Sequence, residues 1–306
     1  MPATVPRSTN VATPDSAATG VDSVIDLSKD SAPIKKAASE RRREFGERTG
    51  YFEVPRAHLY TVLHEVDLPA ARVLLVGPFA AERHSSYIPW VRWARYLAAK
   101  GIEVLRYDYR GIGESSGAFG DMSFVDWMED VHLLAKWLKD RGPQVPVVLH
   151  GLCVGALLAS LAFDAGLGEI LLLWSPPESA NQALRSALVR WINVEQLFKY
   201  GDERKPPSAF IQELERGSPV DVEGYQWSGK LWQDSMRFTM PPAMRDEGTA
   251  RAQYNKPIRI QKLGREAAPL VKAGTVADDR AKDFTWLFLD NWQWVASSID
   301  EVRNKK

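Results

Sequence analysis

Four almost uniformly apolar runs, each leading into a stretch with helical spacing or into a loop, leave this chain very few folds. The runs are ARVLLVGPF (71–79), IEVLRYDYRG (102–111), VPVVLHG (145–151) and EILLLWSPP (169–177). A strand with one face in water alternates apolar and polar residues; a strand apolar throughout is buried on both faces. Between the runs lie YIPWVRWARYLAAKG (87–101), FVDWMEDVHLLAKWLKDRG (124–142) and VGALLASLAFDAG (154–166), which carry their apolar residues at helical intervals. Strand and helix in strict alternation predict a parallel sheet covered by helices on both faces, an α/β fold. HLYTVLHEV (58–66) adds an alternating strand before them.

After Pro177 the rhythm stops. SANQALRSALVRWINVEQLFKY (179–200) has helical spacing, and the chain is then irregular and rich in Trp, Phe, Met and Pro to about residue 244. This stretch, about 178–250, is expected to be a helical cap inserted over the C-terminal edge of the sheet, where open α/β sheets bind ligands. A strand pattern returns at KPIRIQKLG (256–264) and FTWLFLDN (284–291), followed by a final helix at WVASSIDEVR (294–303).

Residues 1–48 differ in kind. They are rich in Ala, Ser, Thr, Pro and Asp, without hydrophobic periodicity, and end in the basic run KKAASERRREFGER (35–48). So little apolar surface cannot offset the entropy of ordering, which predicts a disordered tail. The basic run could anchor an anionic partner, but a solvated tail turning helical near the domain explains it more simply. The N-terminus lacks the apolar core of a signal peptide, and no apolar run is long enough to cross a bilayer, so a soluble cytoplasmic protein is expected.

Charge excludes other classes. Lys+Arg and Asp+Glu both number 39 in 306 residues, which favours neither nucleic acid nor an acidic membrane as partner. No His/Cys/Asp/Glu spacing resembles a metal-ligand set, and RGIGESSG (110–117) lacks the dinucleotide pattern, so no cofactor is expected. The single cysteine, Cys153, cannot form an intrachain disulfide.

That cysteine sits in Gly151-Leu152-Cys153-Val154-Gly155, between a predicted strand and a predicted helix. The arrangement is that of a nucleophile elbow, in which a sharp turn exposes the central side chain and the flanking glycines let helix and strand approach. A thiol can take the place of the usual hydroxyl. The Val154 amide is placed to donate to an oxyanion, with a second donor at Phe79 or Ala80 in GPFAAERHSSY (77–87). The triad partners are the difficulty. An acid can be found in Glu266, after the KPIRIQKLG strand, but every histidine (58, 64, 84, 132 and 150) precedes the cysteine. Asn291 or Trp292 occupies the expected histidine loop. His84 and His150 are the candidate substitutes, each with a structural explanation as well: His84 as a helix cap, His150 as a packed core residue. Asp108 is expected to hold the turn at 110–113, and Asp126 and Asp130 to interact with the N-terminus of their helix.

LAAKGIEVLRYDYRGIGESSGAFG followed by the elbow strand resembles the serine-aminopeptidase-like branch of the α/β-hydrolase superfamily. GPFAAERHSSY, RYDYRGIGESSG, HGLCVGALLA and LLLWSPP further resemble the hydrolases associated with exosortase A systems. The resemblance implies an α/β-hydrolase fold, Cys153 in the nucleophile position, and a context of exopolysaccharide assembly. The expected function is a cysteine-dependent hydrolase or acyltransferase acting on a small ester, thioester or acyl substrate, with the aromatic cap (Trp174, Trp191, Trp227 and Trp232) around its apolar part. A pseudo-hydrolase that binds without catalysing is the alternative, and redox sensing through Cys153 a third.

Overall fold

A computed structural model of the chain describes residues 46–195, 205–264 and 284–305. The described residues open with a hairpin, β1 (Glu47–Val54) and β2 (Ala57–His64). The four apolar runs follow as β3 (Arg72–Val76), β4 (Glu103–Tyr107), β5 (Val147–Leu152) and β6 (Ile170–Trp174). Between them run α1 (Ala81–Ala99), α2 (Phe124–Asp140) and α3 (Val154–Asp164). The insertion comprises α4 (Ala180–Glu195), α5 (Pro207–Glu215), the hairpin β7 (Val220–Val222) and β8 (Tyr225–Trp227), α6 (Gly229–Ser235) and α7 (Glu247–Tyr254). The chain then closes with β9 (Ile258–Gln261) and α8 (Thr285–Asn304).

The main sheet has the order β1-β2-β4-β3-β5-β6-β9. Its strands from β4 to β9 are parallel, and β2 runs antiparallel to both β1 and β4. Period-two alternation divides the core. Val73, Leu75, Val148 and Leu172 pack against α1 and α8, with Trp93, Leu97, Leu287 and Val295. Leu74, Val76, Leu149 and Leu173 face α2, α3 and the cap, with Trp127, Val131, Leu157 and Leu158. The stripe Trp127, Val131, Leu134, Leu138 that predicted α2 is fully buried. The start of α2 is fixed by Ser123, whose backbone N–H and hydroxyl both donate to the Asp126 carboxylate at 2.9 Å.

Two boundaries differ from expectation. The basic run was expected to approach the domain as a helix, yet its last two residues are already strand: Glu47 accepts from Arg95 Nε at 2.7 Å, and Arg48 donates to Glu65 at 3.3 Å. The remainder of the expected tail, residues 1–45, lies outside the described residues. FTWLFLDN is not a strand but the first two turns of α8. Its aromatic and apolar residues favour a strand over a short window, while Leu287, Phe288, Asn291, Val295, Ile299 and Val302 form one buried helical face over the longer one. Asp130 also departs from its expected helix-end role: it is wholly buried and pairs with Arg110.

Candidate active site

A single residue separates β5 from α3, and that residue is Cys153. To reverse direction there, the backbone adopts φ 52° and ψ −123°. A non-glycine residue in this region costs about 1–3 kcal/mol, which the surrounding packing must supply. The Cys153 N–H donates to the Trp174 carbonyl at 2.9 Å, and the Cys153 carbonyl accepts from Ala156 N at 2.9 Å. A methyl group on Gly151 would lie 2.3 Å from Ala156 Cα, and one on Gly155 2.1 Å from the Val76 carbonyl oxygen. Both glycines are therefore required by close backbone approach, the second because α3 crosses directly over the end of β3.

The turn after β3 repeats this geometry. Ala80, immediately before α1, has φ 51° and ψ −135°. The turn is held from below by Tyr109, whose hydroxyl donates to the Gly77 carbonyl at 2.8 Å. The Phe79 ring is buried against Phe119, Phe124, Trp127 and Trp227. Two strained turns, each opening a helix, thus meet where Gly155 rests on the carbonyls of Val76 and Gly77. Val154 is the first residue of α3, so its N–H has no acceptor within the helix and lies at the positive end of the helix dipole.

The electrostatic environment of the thiol comes from residues that sequence reading did not single out. Burial pushes the Cys153 thiol well above its ordinary value; the Glu82 carboxylate pushes it the same way, and Arg190 opposes. Glu82 lies in the first turn of α1 with its side chain 15% exposed, and burial raises its carboxyl to about 7 against the pull of Arg190. Arg190, on α4, has Nη1 3.5 Å from Glu82 Oε1 and Nε 3.5 Å from Glu223 Oε1. Glu223 sits in the β7–β8 turn with φ 55°. Arg83 donates to Asp108 at 2.5 Å; burial pushes the Tyr225 hydroxyl up, with Arg83 opposing and Asp108 and Glu223 reinforcing the shift. Glu82 had one signal in the sequence, its position two residues after the expected oxyanion turn. Arg190 and Glu223 had none, because only folding of the cap brings them near α1.

The candidates from the sequence separate into two groups. Cys153, Val154, Gly151, Gly155, Phe79 and Ala80 come together at the two turns. His150 does not join them. Like Val148 and Leu152 it points to the α1 face, where its ring is enclosed by Trp90, Trp93 and Trp174 and its Nδ1 bonds the Leu172 carbonyl at 2.9 Å. Burial holds its pKa down at about 3, so the ring is neutral. His84 is exposed, and its ring faces Tyr225 at 6.1 Å. Glu266 lies outside the described residues. Asp108, expected to hold the turn at 110–113, accepts instead from Glu114 N at 3.2 Å, one residue beyond it, and from Arg83.

Of the four tryptophans assigned to the cap, Trp174 is instead on the α1 face of β6, its Nε1 donating to Asn291 Oδ1 at 3.2 Å. Trp191 packs on Phe210 within the cap, Trp227 on Phe79, and Trp232 beneath the Arg185 guanidinium. Asn291, expected in a histidine loop, is buried in α8. It also donates to the Leu287 carbonyl and to Gln261, so its hydrogen-bonding capacity is used structurally.

Residues 80–191 match the family described as serine aminopeptidase, S33. Among curated proteins none matches the chain. Among solved structures, the α/β hydrolase GrgF from Penicillium sp. sh18 is similar at 15% identity and a TM-score of 0.51, covering 83% of this chain and 99% of that one. A soluble variant of the monoglyceride lipase from Saccharomyces cerevisiae is similar at 14% identity and a TM-score of 0.50, covering 87% of this chain and 99% of that one. The chain spans 62% of a lidless α/β serine hydrolase from Xanthomonas campestris, at 23% identity, 43% coverage of this chain and a TM-score of 0.37. With its strand order, its strained elbow between β5 and α3 and these likenesses, the chain has the α/β-hydrolase fold.

Proposed function

We propose that this protein is an acyl-transfer enzyme, a hydrolase or acyltransferase, that uses Cys153 as its nucleophile on a small ester, thioester or other acyl substrate. The observation that carries the reading is the backbone at Cys153: a left-handed conformation, unfavourable for cysteine, is maintained at the N-terminus of α3 and framed by two glycines that tolerate no Cβ. Strain of this kind persists where the fold over-determines it, and it concentrates at functional sites. In the step, Sγ attacks the acyl carbonyl carbon, the Val154 amide and an amide of the Phe79–Ala80 turn receive the oxyanion, the acyl C–O bond breaks, and the ester oxygen leaves as an alcohol carrying the proton the thiol gave up. The aromatic cap residues Trp191, Trp227 and Trp232 form the apolar side of the insertion above the sheet. The sequence resemblance to exosortase-associated hydrolases extends the proposal to an acylated or lipid-linked precursor of an exopolysaccharide.

The test is covalent labelling of the full chain with short-chain nitrophenyl esters, read by intact mass. One acyl group on Cys153, absent from Cys153→Ala, is the expected result; a folded protein with no adduct under any ester contradicts the proposal. A binding function without catalysis is the second reading, favoured by one observation: the His150 ring is enclosed by three tryptophans, with its Nδ1 taken up by the Leu172 carbonyl. That reading requires Cys153→Ala and Cys153→Ser to retain biological function.

A further inference from the structure

A buried donor without an acceptor has lost its bond to water and gained none in return, so nearly every buried polar group in a folded protein has a partner. Among the described residues, a few buried side-chain polar atoms have none. Trp93 Nε1 and His150 Nε2 lie on the α1 face, and His64 Nδ1 and the Tyr107 hydroxyl on strands of the sheet. The other two, Nε1 of Trp227 and of Trp232, belong to the cap, the insertion at the sheet edge where open α/β folds take their ligands.

Trp227 ends β8 and is 1% exposed. Its ring packs on that of Phe79 at 6.4 Å between centroids, which seats it against the turn leading from β3 into α1. Trp127 packs on the same phenyl ring at 5.5 Å, and its Nε1–H donates to the Arg110 carbonyl at 3.1 Å. Two indoles thus share one phenyl ring. The protein satisfies the one from α2 and leaves the one from the cap with an unused donor. Trp232 has a different setting, beneath the Arg185 guanidinium at 5.1 Å within the cap.

We infer that the Trp227 Nε1–H is a substrate-binding donor that takes an acceptor oxygen in the acyl chain of a substrate held at Cys153, an assignment that rests on the acyl-transfer reading above. The indole face and the Phe79 ring receive the methylenes of that chain, and the N–H selects one oxygen among them. The preferred substrate is then an alkoxy- or oxo-acyl group over a plain hydrocarbon acyl group, because a hydrocarbon chain leaves the donor buried and unpaired. Phe79 belongs to the turn assigned to the oxyanion, so ring packing fixes the donor relative to that turn.

The experiment compares nitrophenyl esters in pairs that differ by an oxygen in place of a methylene: methoxyacetate and butanoate, methoxypropanoate and pentanoate, methoxybutanoate and hexanoate. Acylation of Cys153 in the full-length protein is followed for each, relative to a free thiol so that intrinsic reactivity cancels. The proteins are wild type, W227F and Trp227→benzothienylalanine, whose side chain keeps the indole shape and carries sulfur in place of N–H. The expected result is a wild-type preference of about 10-fold for the oxygen-bearing member of at least one pair, lost in both variants. Thermal melts of the free protein give an independent reading. Trp127→benzothienylalanine removes the bond to Arg110 and lowers Tm, whereas Trp227→benzothienylalanine does not. The absence of any preference in wild type, or a preference that persists without the N–H, overturns the assignment and leaves Cys153 as nucleophile. A Tm lowered as much at Trp227 as at Trp127 shows a partner within the protein and overturns it likewise. A wild-type thiol that no ester acylates overturns the acyl-transfer reading itself, and this inference with it.

Discussion

His150 shows how much one residue's parity along a strand decides. Three positions before Cys153, it looks like a plausible partner for the thiol, yet successive side chains of a strand point to opposite faces. Gly151 faces α3, so His150 faces α1. Its neutral state has a consequence for stability. The folded pKa, about 3, is far below the unfolded value near 6.5, so between these values the unfolded chain binds more protons and stability falls as pH falls. His64, held down at about 4 by burial and by Arg106, acts in the same direction. Each contributes up to about 1.4 kcal/mol per pH unit once well below 6.5. Urea denaturation from pH 7 to 5 should therefore show a steady loss. His150→Asn, whose amide can replace Nδ1–H toward the Leu172 carbonyl, should remove one histidine's share of that slope and leave Cys153 alkylation unchanged. An unchanged slope would contradict the neutral, enclosed imidazole; changed alkylation would contradict its separation from the thiol.

At the scale of elements, the elbow works because β3, β5, α1 and α3 meet with almost no space between their backbones. Gly155→Ala puts a carbon 2.1 Å from the Val76 carbonyl oxygen and 2.2 Å from that of Gly77, both backbone atoms that cannot rotate away. The turn carrying Ala80 must shift. The expected loss is about 3 kcal/mol by denaturant titration, the upper part of the range for overpacking. A Gly155→Ala protein as stable as wild type would mean that the two turns are not locked together. This contact was legible in outline, since the glycine spacing in GLCVG predicts close approach; the repeat of the same backbone conformation at Ala80 was not, because nothing in GPFAAERH marks it. The opposite error occurred at the C-terminus. FTWLFLDN has the composition of a strand, and only the burial of Leu287, Asn291 and Val295 along one face against Trp93 and Trp174 selects the helix.

For the whole molecule, the cap is more than a cover over the sheet. It brings Arg190 and Glu223 down to Glu82 and lays Trp227 on Phe79, so insertion and core share the site. Removing the cap's positive charge should therefore alter the chemistry of a residue on β5's end. Arg190 opposes the upward shift of the thiol, so Arg190→Met should make Cys153 harder to ionise. Its iodoacetamide reaction should slow at a given pH, with the profile displaced upward and folding retained; an unchanged profile would remove Arg190 from the thiol's environment. The sequence by itself determined the α/β class, the four central strands, the elbow and the lack of any histidine beyond it, because periodicity, glycine spacing and residue order are local properties. Only the tertiary structure decided which side chains surround the thiol. Parity turned His150 to the α1 face, and cap packing joined Glu82 to Arg190, 108 residues away, and Arg190 to Glu223, an arrangement fixed by long-range packing that leaves no mark in local spacing.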